Sequence, residues 1–336
     1  MQMKELVKER SAWLGCAMIW IVLYHARIDT ALKIYNFVAS IGYGGVDICI
    51  FASGIGCYYS LSRSEDICAF LKRRFVRLAP TYWCFLTFWI IYKVCFSEIS
   101  ARGAFCNFLG LEYITNKGEA FNWYITAILL LYLIAPYLKQ MVERLTDKKS
   151  LLMVLGSIII SMAFWESKTY IIIFTRIPLF ILGMIFARKC QNGDCLSKKA
   201  IRIIWGIAVG GIVLLKLCFD FCSEQLWTHG LYWYPFILIT PGICIFISMC
   251  LAWIKKYKHL RWIKKALEFI GQYSFEIYLV HIPLFEYVHK MIEERGVIQH
   301  RNLILFGTIV FTVIGCVLLR AIVNGVCRIY KQETGR

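Results

Sequence analysis

The sequence predicts an all-α polytopic membrane protein, a bundle of about ten transmembrane helices with both termini cytoplasmic, folded as a single domain over residues 1–336. Three observations carry that expectation. Of the 336 residues, 59% are hydrophobic and 18% charged, with a mean hydropathy of +0.62, an apolar content too high and too blocky for a water-soluble domain. The apolar residues gather into about ten blocks of the length a hydrocarbon core demands, about 20 residues of helix. The basic residues, finally, recur between alternate blocks. One set of connectors and ends, at 4–10, 63–77, 139–149, 188–202, 255–265 and 328–336, holds 26 of the 38 Lys and Arg, whereas the opposite connectors hold ten. Enrichment of Lys and Arg marks the cytoplasmic side, which places both ends there.

The blocks lie at residues 11–28, 41–62, 75–97, 122–138, 150–165, 171–188, 200–219, 232–254, 267–288 and 302–327. The first carries His25, and an ionisable side chain inside a membrane segment is a functional-site hypothesis by default. No small-residue cleavage site follows it, so it is read as a helix rather than a removed signal. The second, IGYGGVDICIFASGIGCYYSL, combines Asp47 with Gly44, Gly45, Ser53, Gly54 and Gly56, small residues that permit close helix approach and leave room for a cavity. At the cytoplasmic start of the third stand Arg73, Arg74 and Arg77, whose guanidinium forks suit the phosphates of a nucleotide; topology anchors are the competing reading. The connector 97–121, with Arg102, Glu112, Asn116 and Glu119, is the longest and is expected to be a solvated link to the fourth block, which opens with Trp123. Lys148 and Lys149 precede the fifth; the sixth carries Arg176; the seventh and eighth are apolar throughout their centres. The ninth carries His281, and the tenth has Arg320 near its middle with no partner that the sequence names. Trp13, Trp20, Trp83, Trp89, Trp165, Trp227 and Trp233 read as interfacial or lipid-facing.

At about 1.5 Å of rise per residue, His25 stands roughly 20 Å above the cytoplasmic start of its helix, and Asp47, Arg176 and His281 come out at comparable depth. Each is costly against lipid, so a common interior is expected. A neutral imidazole there can take the proton of an attacking hydroxyl, and an adjacent carboxylate would fix its tautomer and stabilise the imidazolium. That makes His25 the candidate base and Asp47 its orienter. The plainer alternative has His25 bonding a neighbouring helix and Asp47 pairing a structural arginine. For His281 a purely structural role competes in the same way.

Other functions are excluded or left without support. The net charge of +17 comes in short clusters between apolar blocks and no nucleic-acid motif accompanies it, so no nucleic-acid partner is expected. The fifteen cysteines show neither C-x-x-C nor paired Cys/His spacing, so no metal site and no disulfide framework are expected.

In order along the chain stand His25, GVDICIFASGIG, RRFVRLAPTYW, WYITAILLLYLIAP, RIPLFILGM and SFEIYLVHIPLF. Together these resemble the acyltransferase-3 family of integral membrane acyltransferases, and the resemblance covers nearly the whole chain. It implies a multi-pass protein of the cell membrane that moves an acyl group, often acetyl, from an acyl-CoA such as acetyl-CoA to a hydroxyl of a surface glycan or similar acceptor. It further implies catalysis by His25 and Asp47, donor phosphates at Arg73, Arg74 and Arg77, and Trp123, Arg176 and His281 facing substrate. Many members have an arginine eleven residues before the histidine, where this chain has Leu14; the role of that arginine is absent here or shifted to Arg10. Some members also have a glutamate a few residues after the tryptophan, where Thr126, Ala127 and Ile128 stand here. The residues by themselves leave a second class open, a transporter or flippase for a surface-polysaccharide precursor, since about ten helices with midplane charges also describe a carrier. The oligomeric state is not legible.

The topology is checked by labelling single cysteines placed in a cysteine-free variant. A cysteine beside Lys148 should react only from the cytoplasmic side and one beside Lys117 only from outside; the reverse at either position contradicts the orientation.

Overall fold

Where no water reaches the backbone, each apolar run must satisfy its N–H and C=O groups within itself, so each coils. The protein, seen in a computed structural model that describes residues 3–64, 66–96, 99–117, 121–227, 229–296 and 300–334, is helical from end to end. Eleven helices make the body: α1 (Arg10–Ala26), α2 (Gly45–Arg63), α3 (Ile67–Phe96), α4 (Trp123–Arg144), α5 (Asp147–Met162), α6 (Ile177–Gln191), α7 (Lys198–Phe221), α8 (Pro235–Ile254), α9 (Arg261–Gln272), α10 (Ser274–Arg295) and α11 (Arg301–Thr334). Short helices such as Lys33–Ser40, Ala101–Phe108 and Lys168–Phe174 sit in the connectors.

Among the described residues, seven helical stretches are long and apolar enough to cross a membrane: 42–63, 67–96, 123–144, 168–191, 198–221, 235–254 and 301–329. This is the build of a polytopic membrane protein. Each of the ten expected blocks contains a helix, but α1 and α5, at 17 and 16 residues, are shorter than those seven, and α10 carries Glu276, Glu286 and Lys290. Lipid-facing surface is supplied by α3, α7 and α11, where apolar side chains such as Phe88, Val209 and Phe311 stand exposed in a band.

At the centre, α2 packs against α6 and α1. The α2–α6 crossing is a backbone-to-backbone contact made possible by two glycines. A Cβ on Gly54 would lie 2.2 Å from the Phe180 carbonyl oxygen, and one on Gly183 would lie 2.2 Å from that of Phe51. No side chain fits there, which accounts for the glycines of both motifs.

Four expectations are corrected. The ninth segment is not continuous from residue 267: the chain breaks at Tyr273, separating α9 from α10. The apolar residues of α9 alternate at helical spacing with Arg261, Lys264, Lys265 and Glu268, so the helix lies along a polar boundary rather than through the core, with Trp262 and Phe269 exposed. It is pressed onto α1, where a Cβ on Gly15 would lie 2.0 Å from the Leu267 oxygen and one on Gly271 would lie 1.8 Å from the Ser11 oxygen. The sixth segment is likewise interrupted, by a turn at Thr175 and Arg176, and α6 restarts with Pro178 in its first turn, where a missing N–H costs nothing. Trp13 is neither interfacial nor lipid-facing; it is wholly buried, and its indole N–H donates to the Ser248 hydroxyl at 2.8 Å, the partner a buried tryptophan needs. Asn107 of the long connector is buried and accepts a hydrogen bond at 3.2 Å from the buried Asn122 at the start of the fourth block, so that link is tied to the bundle; Glu119 lies outside the described residues.

Where α1 begins, Glu9 is 4% exposed and accepts hydrogen bonds from Lys255, at 2.5 Å, and from Lys264. Burial alone would raise its pKa, but the two ammonium groups outweigh it and hold the carboxyl below its ordinary value. A depressed carboxylate contributes stability that is present above the unfolded pKa and lost only as pH falls through the folded one. The clamp of α1 to α8 and α9 is therefore intact at neutral pH.

Candidate active site

On the face that carries the basic clusters, α1, α2, α3 and the end of α9 surround a vestibule of about 920 Å³. Six of its lining side chains are cationic, Lys8, Arg10, Arg63, Arg73, Arg74 and Arg77, and among the described residues no carboxylate lines it. Sequence spacing explains the cluster: Arg73, Arg74 and Arg77 share the opening turns of α3, while Arg10 starts α1 across from them. Arg74 is fixed as a wall, with Nη2 donating to the Gly56 carbonyl at 2.5 Å and the guanidinium 5.3 Å from the ring centres of both Phe70 and Tyr132. Gly56 leaves the space that Arg10 fills, since a Cβ there would lie 2.6 Å from an Arg10 Nη. No described carboxylate pairs with any of these four arginines, so their charge is directed into the vestibule.

The vestibule narrows into a channel of about 210 Å³ that shares Arg10, Leu14, Gly56, Arg74 and Arg77 with it. Inside, α1 presents Leu14, Met18 and Ile21, and α10 presents Ser274, Phe275 and Tyr278. Helical periodicity carries each stripe one turn further. The next residue on the first is His25 and on the second His281. Those two rings meet with centroids 5.1 Å apart and planes at 75°. Below them Tyr124 and Tyr278, 5.1 Å apart, pinch the channel, and the Tyr278 hydroxyl is anchored on the Phe121 carbonyl at 2.9 Å.

The four midplane groups thus resolve into two pairs. His25 faces His281; Asp47 pairs with Arg176, Nη1 to Oδ1 at 2.6 Å, with side chains 0% and 2% exposed. Trp123 and Trp233 cover that guanidinium at 5.7 and 5.2 Å, so Trp123 belongs with the ion pair rather than with the histidines. The expected contact between Asp47 and His25 is not among the described ones. His281 is wholly buried; its Nδ1 donates to the Ile277 carbonyl at 2.5 Å, and its Nε2 has no described partner. The His25 carbonyl, at the end of α1, accepts from His289 Nε2 at 2.9 Å. Arg320 has a partner after all: its guanidinium grips Glu276 at 2.7 and 2.8 Å across α10 and α11, 44 residues away in sequence. Among the described residues no group of three or more His, Cys, Asp or Glu is arranged to hold a metal.

Sequence reasoning missed Lys8 and Arg63 as lining groups and gave Arg10 only a conditional role. The 4, 3, 4 spacing of Leu14, Met18, Ile21 and His25 is a signal that would have placed His25 at the head of a cavity-facing stripe.

A helical bundle with seven membrane-length stretches, a basic vestibule, a narrow channel and His25 set against the buried His281 defines a polytopic membrane protein with an internal cavity. The chain belongs to the acyltransferase-3 family: that family's model, an acyltransferase domain, matches residues 15–321, and the protein is accordingly a membrane acyltransferase. No curated protein and no solved structure matches it.

The Asp47–Arg176 pair generates a stability prediction. Removing one partner of a buried ion pair leaves the other uncompensated, at about 3–5 kcal/mol. Asp47→Asn and Arg176→Gln should each lower the thermal unfolding midpoint of the purified protein markedly, and the double variant should lose less than the sum of the singles. Strict additivity in that cycle contradicts the pairing.

Proposed function

We propose that the protein transfers an acyl group, acetyl, from acetyl-CoA to a hydroxyl of a surface glycan or similar acceptor at the cell membrane, with both termini and the vestibule on the cytoplasmic side. The observation that carries this reading is a basic vestibule, its arginines paired with no described carboxylate, opening into a channel whose lining stripes on α1 and α10 lead one helical turn on to His25 and His281. Guanidinium groups without carboxylates suit the phosphates of coenzyme A. The narrow channel suits the pantetheine arm, and its pinch at Tyr124 and Tyr278 suits a short acyl chain. Arg10 supplies the charge that Leu14 lacks.

The chemistry follows from the histidines one helical turn beyond the channel lining. His25, neutral, takes the proton of the acceptor hydroxyl as its oxygen attacks the thioester carbonyl carbon. The C–S bond of the resulting tetrahedral intermediate breaks, its electron pair leaves on sulfur, and the imidazolium returns the proton to give the free thiol and the ester. Trp123 and Arg176, whose ion pair with Asp47 holds α2 against α6, border the acceptor side. A carrier for a surface-polysaccharide precursor, the competing reading, has no use for a phosphate-sized basic mouth at one end of a passage and a base at the other.

The test is incubation of purified protein with labelled acetyl-CoA and extracted surface glycan. Acyl transfer is expected. Arg10→Ala, Arg73→Ala and Arg77→Ala should each weaken donor binding about tenfold or more, the worth of a charge-assisted contact of about 1.5–3 kcal/mol. His25→Ala should keep donor affinity and lose about 100- to 10,000-fold in rate. Near wild-type transfer by a folded His25→Ala protein would sink the assignment of the base.

A further inference from the structure

An imidazole base needs a partner for the ring nitrogen that does not face its substrate, because that partner fixes the tautomer and stabilises the imidazolium. The carboxylate expected for that part is committed elsewhere: Asp47 is engaged by Arg176 at 2.6 Å across the α2–α6 contact. Glu276 is likewise held by Arg320. No hydrogen bond or ion pair to the His25 ring is found among the described residues. The rings recorded against it are Tyr24, its chain neighbour, at 5.0 Å and, from another helix, His281 at 5.1 Å.

His281 is built as an acceptor. The Ile277 carbonyl can only accept, so the Nδ1 bonded to it at 2.5 Å carries the proton, and a neutral ring then has a lone pair at Nε2. That nitrogen is fully enclosed and has no described partner. Buried polar atoms left unpaired carry a desolvation cost and call for an explanation. The rings recorded against His281 are His25, at 5.1 Å, and Tyr278, at 6.3 Å, whose hydroxyl is already spent on Phe121. Two imidazoles joined end to end by an N–H···N bond of about 2.9 Å have centroids about 5 Å apart, the separation found. The backbone on both sides is fixed. His289 holds the His25 carbonyl, and Arg301 donates to the carbonyl of Arg27, the left-handed residue that ends α1 at φ 48°. What remains free is the torsion of the His25 ring, and hydrogen bonds in unliganded sites tighten when substrate arrives.

We propose that His281 is the positioning residue for His25, accepting at Nε2 a hydrogen bond from the His25 ring and filling the part that a carboxylate plays in other imidazole bases. The proposal rests on His25 as the base. No proton need pass between the rings: His25 takes and returns the acceptor's proton at one nitrogen while its other N–H stays directed at His281.

Purified His281→Phe, His281→Gln, His281→Asn and His25→Ala proteins, assayed with labelled acetyl-CoA and extracted surface glycan, decide the matter. Phe keeps the ring volume without an acceptor; the Gln carbonyl reaches the place of Nε2, and the shorter Asn reaches only that of Nδ1. His281→Phe should lose about 10- to 100-fold in kcat, the usual worth of an orienting partner, with donor affinity and acceptor KM within twofold of wild type. His281→Gln should recover most of that loss and His281→Asn should not. Full kcat in His281→Phe, a change confined to acceptor KM, or equal rates for Gln and Asn each overturn the proposal while leaving His25 as base. Should His281→Phe fail to fold, the Gln-against-Asn comparison decides alone. Wild-type turnover in His25→Ala would instead remove the base itself, and the proposal with it.

Discussion

A charge inside hydrocarbon must be paired or must face water, and the interior of this protein is arranged around that constraint. Asp47 and Arg176, together almost without exposure, bring α2 to the point where the chain breaks before α6. The break frees the Arg176 side chain at the head of the helix, and the Gly54–Gly183 contact lets the two backbones close enough for the pair to form. Glu276 and Arg320 do the same for α10 and α11. The interior cations that remain without a described carboxylate are the arginines of the vestibule. Under the proposed function, their isolation there is what would draw in an anionic donor.

The gradient along the passage is chemical as well as steric. Unpaired charge is concentrated at the mouth, the channel is lined by apolar and aromatic side chains together with the Glu276–Arg320 ion pair, and the stripes of α1 and α10 lead one turn further to two imidazoles, where an ionised group without a partner would be expensive. Arg74, held by the Gly56 carbonyl and two aromatic rings, is part of the wall, whereas Arg73 and Arg77 are exposed and Arg10 lies opposite. A donor that is anionic at one end and neutral at the other matches this order. Acyl thioesters of coenzyme A have that form.

Hydropathy made the helical membrane class legible, because it depends on composition within a window; seven of the helical stretches are long and apolar enough to cross a membrane among the described residues. Pairing was not legible. Asp47 and Arg176 are 129 residues apart and Glu276 and Arg320 are 44 apart, and depth along a helix axis says which side chains share a layer but not which ones face each other. Depth gave His25 and Asp47 equal standing as partners, whereas the recorded contacts set Asp47 on Arg176 and His25 against His281. The break at Tyr273 was hidden for a related reason: α9 is apolar enough to extend a hydropathy block, and only its regular interruption by Arg261, Lys264, Lys265 and Glu268 marks it as a boundary helix. Trp13 looked interfacial because it stands near a segment end; its burial depends on Ser248, which comes 235 residues later.

The central claim is spatial: one passage carries the donor from the arginines to the histidines. An experimental structure of the protein in a lipid nanodisc with an unreactive thioether analogue of acetyl-CoA tests it most directly. The account predicts phosphate density against Arg10, Arg73 and Arg77, the pantetheine arm between α1 and α10, and the acetyl carbon past Tyr278 within reach of the hydroxyl that His25 would activate, about 3–3.5 Å from attack. Nucleotide density on another face of the bundle, or an acetyl group that ends away from the histidine pair, would contradict it.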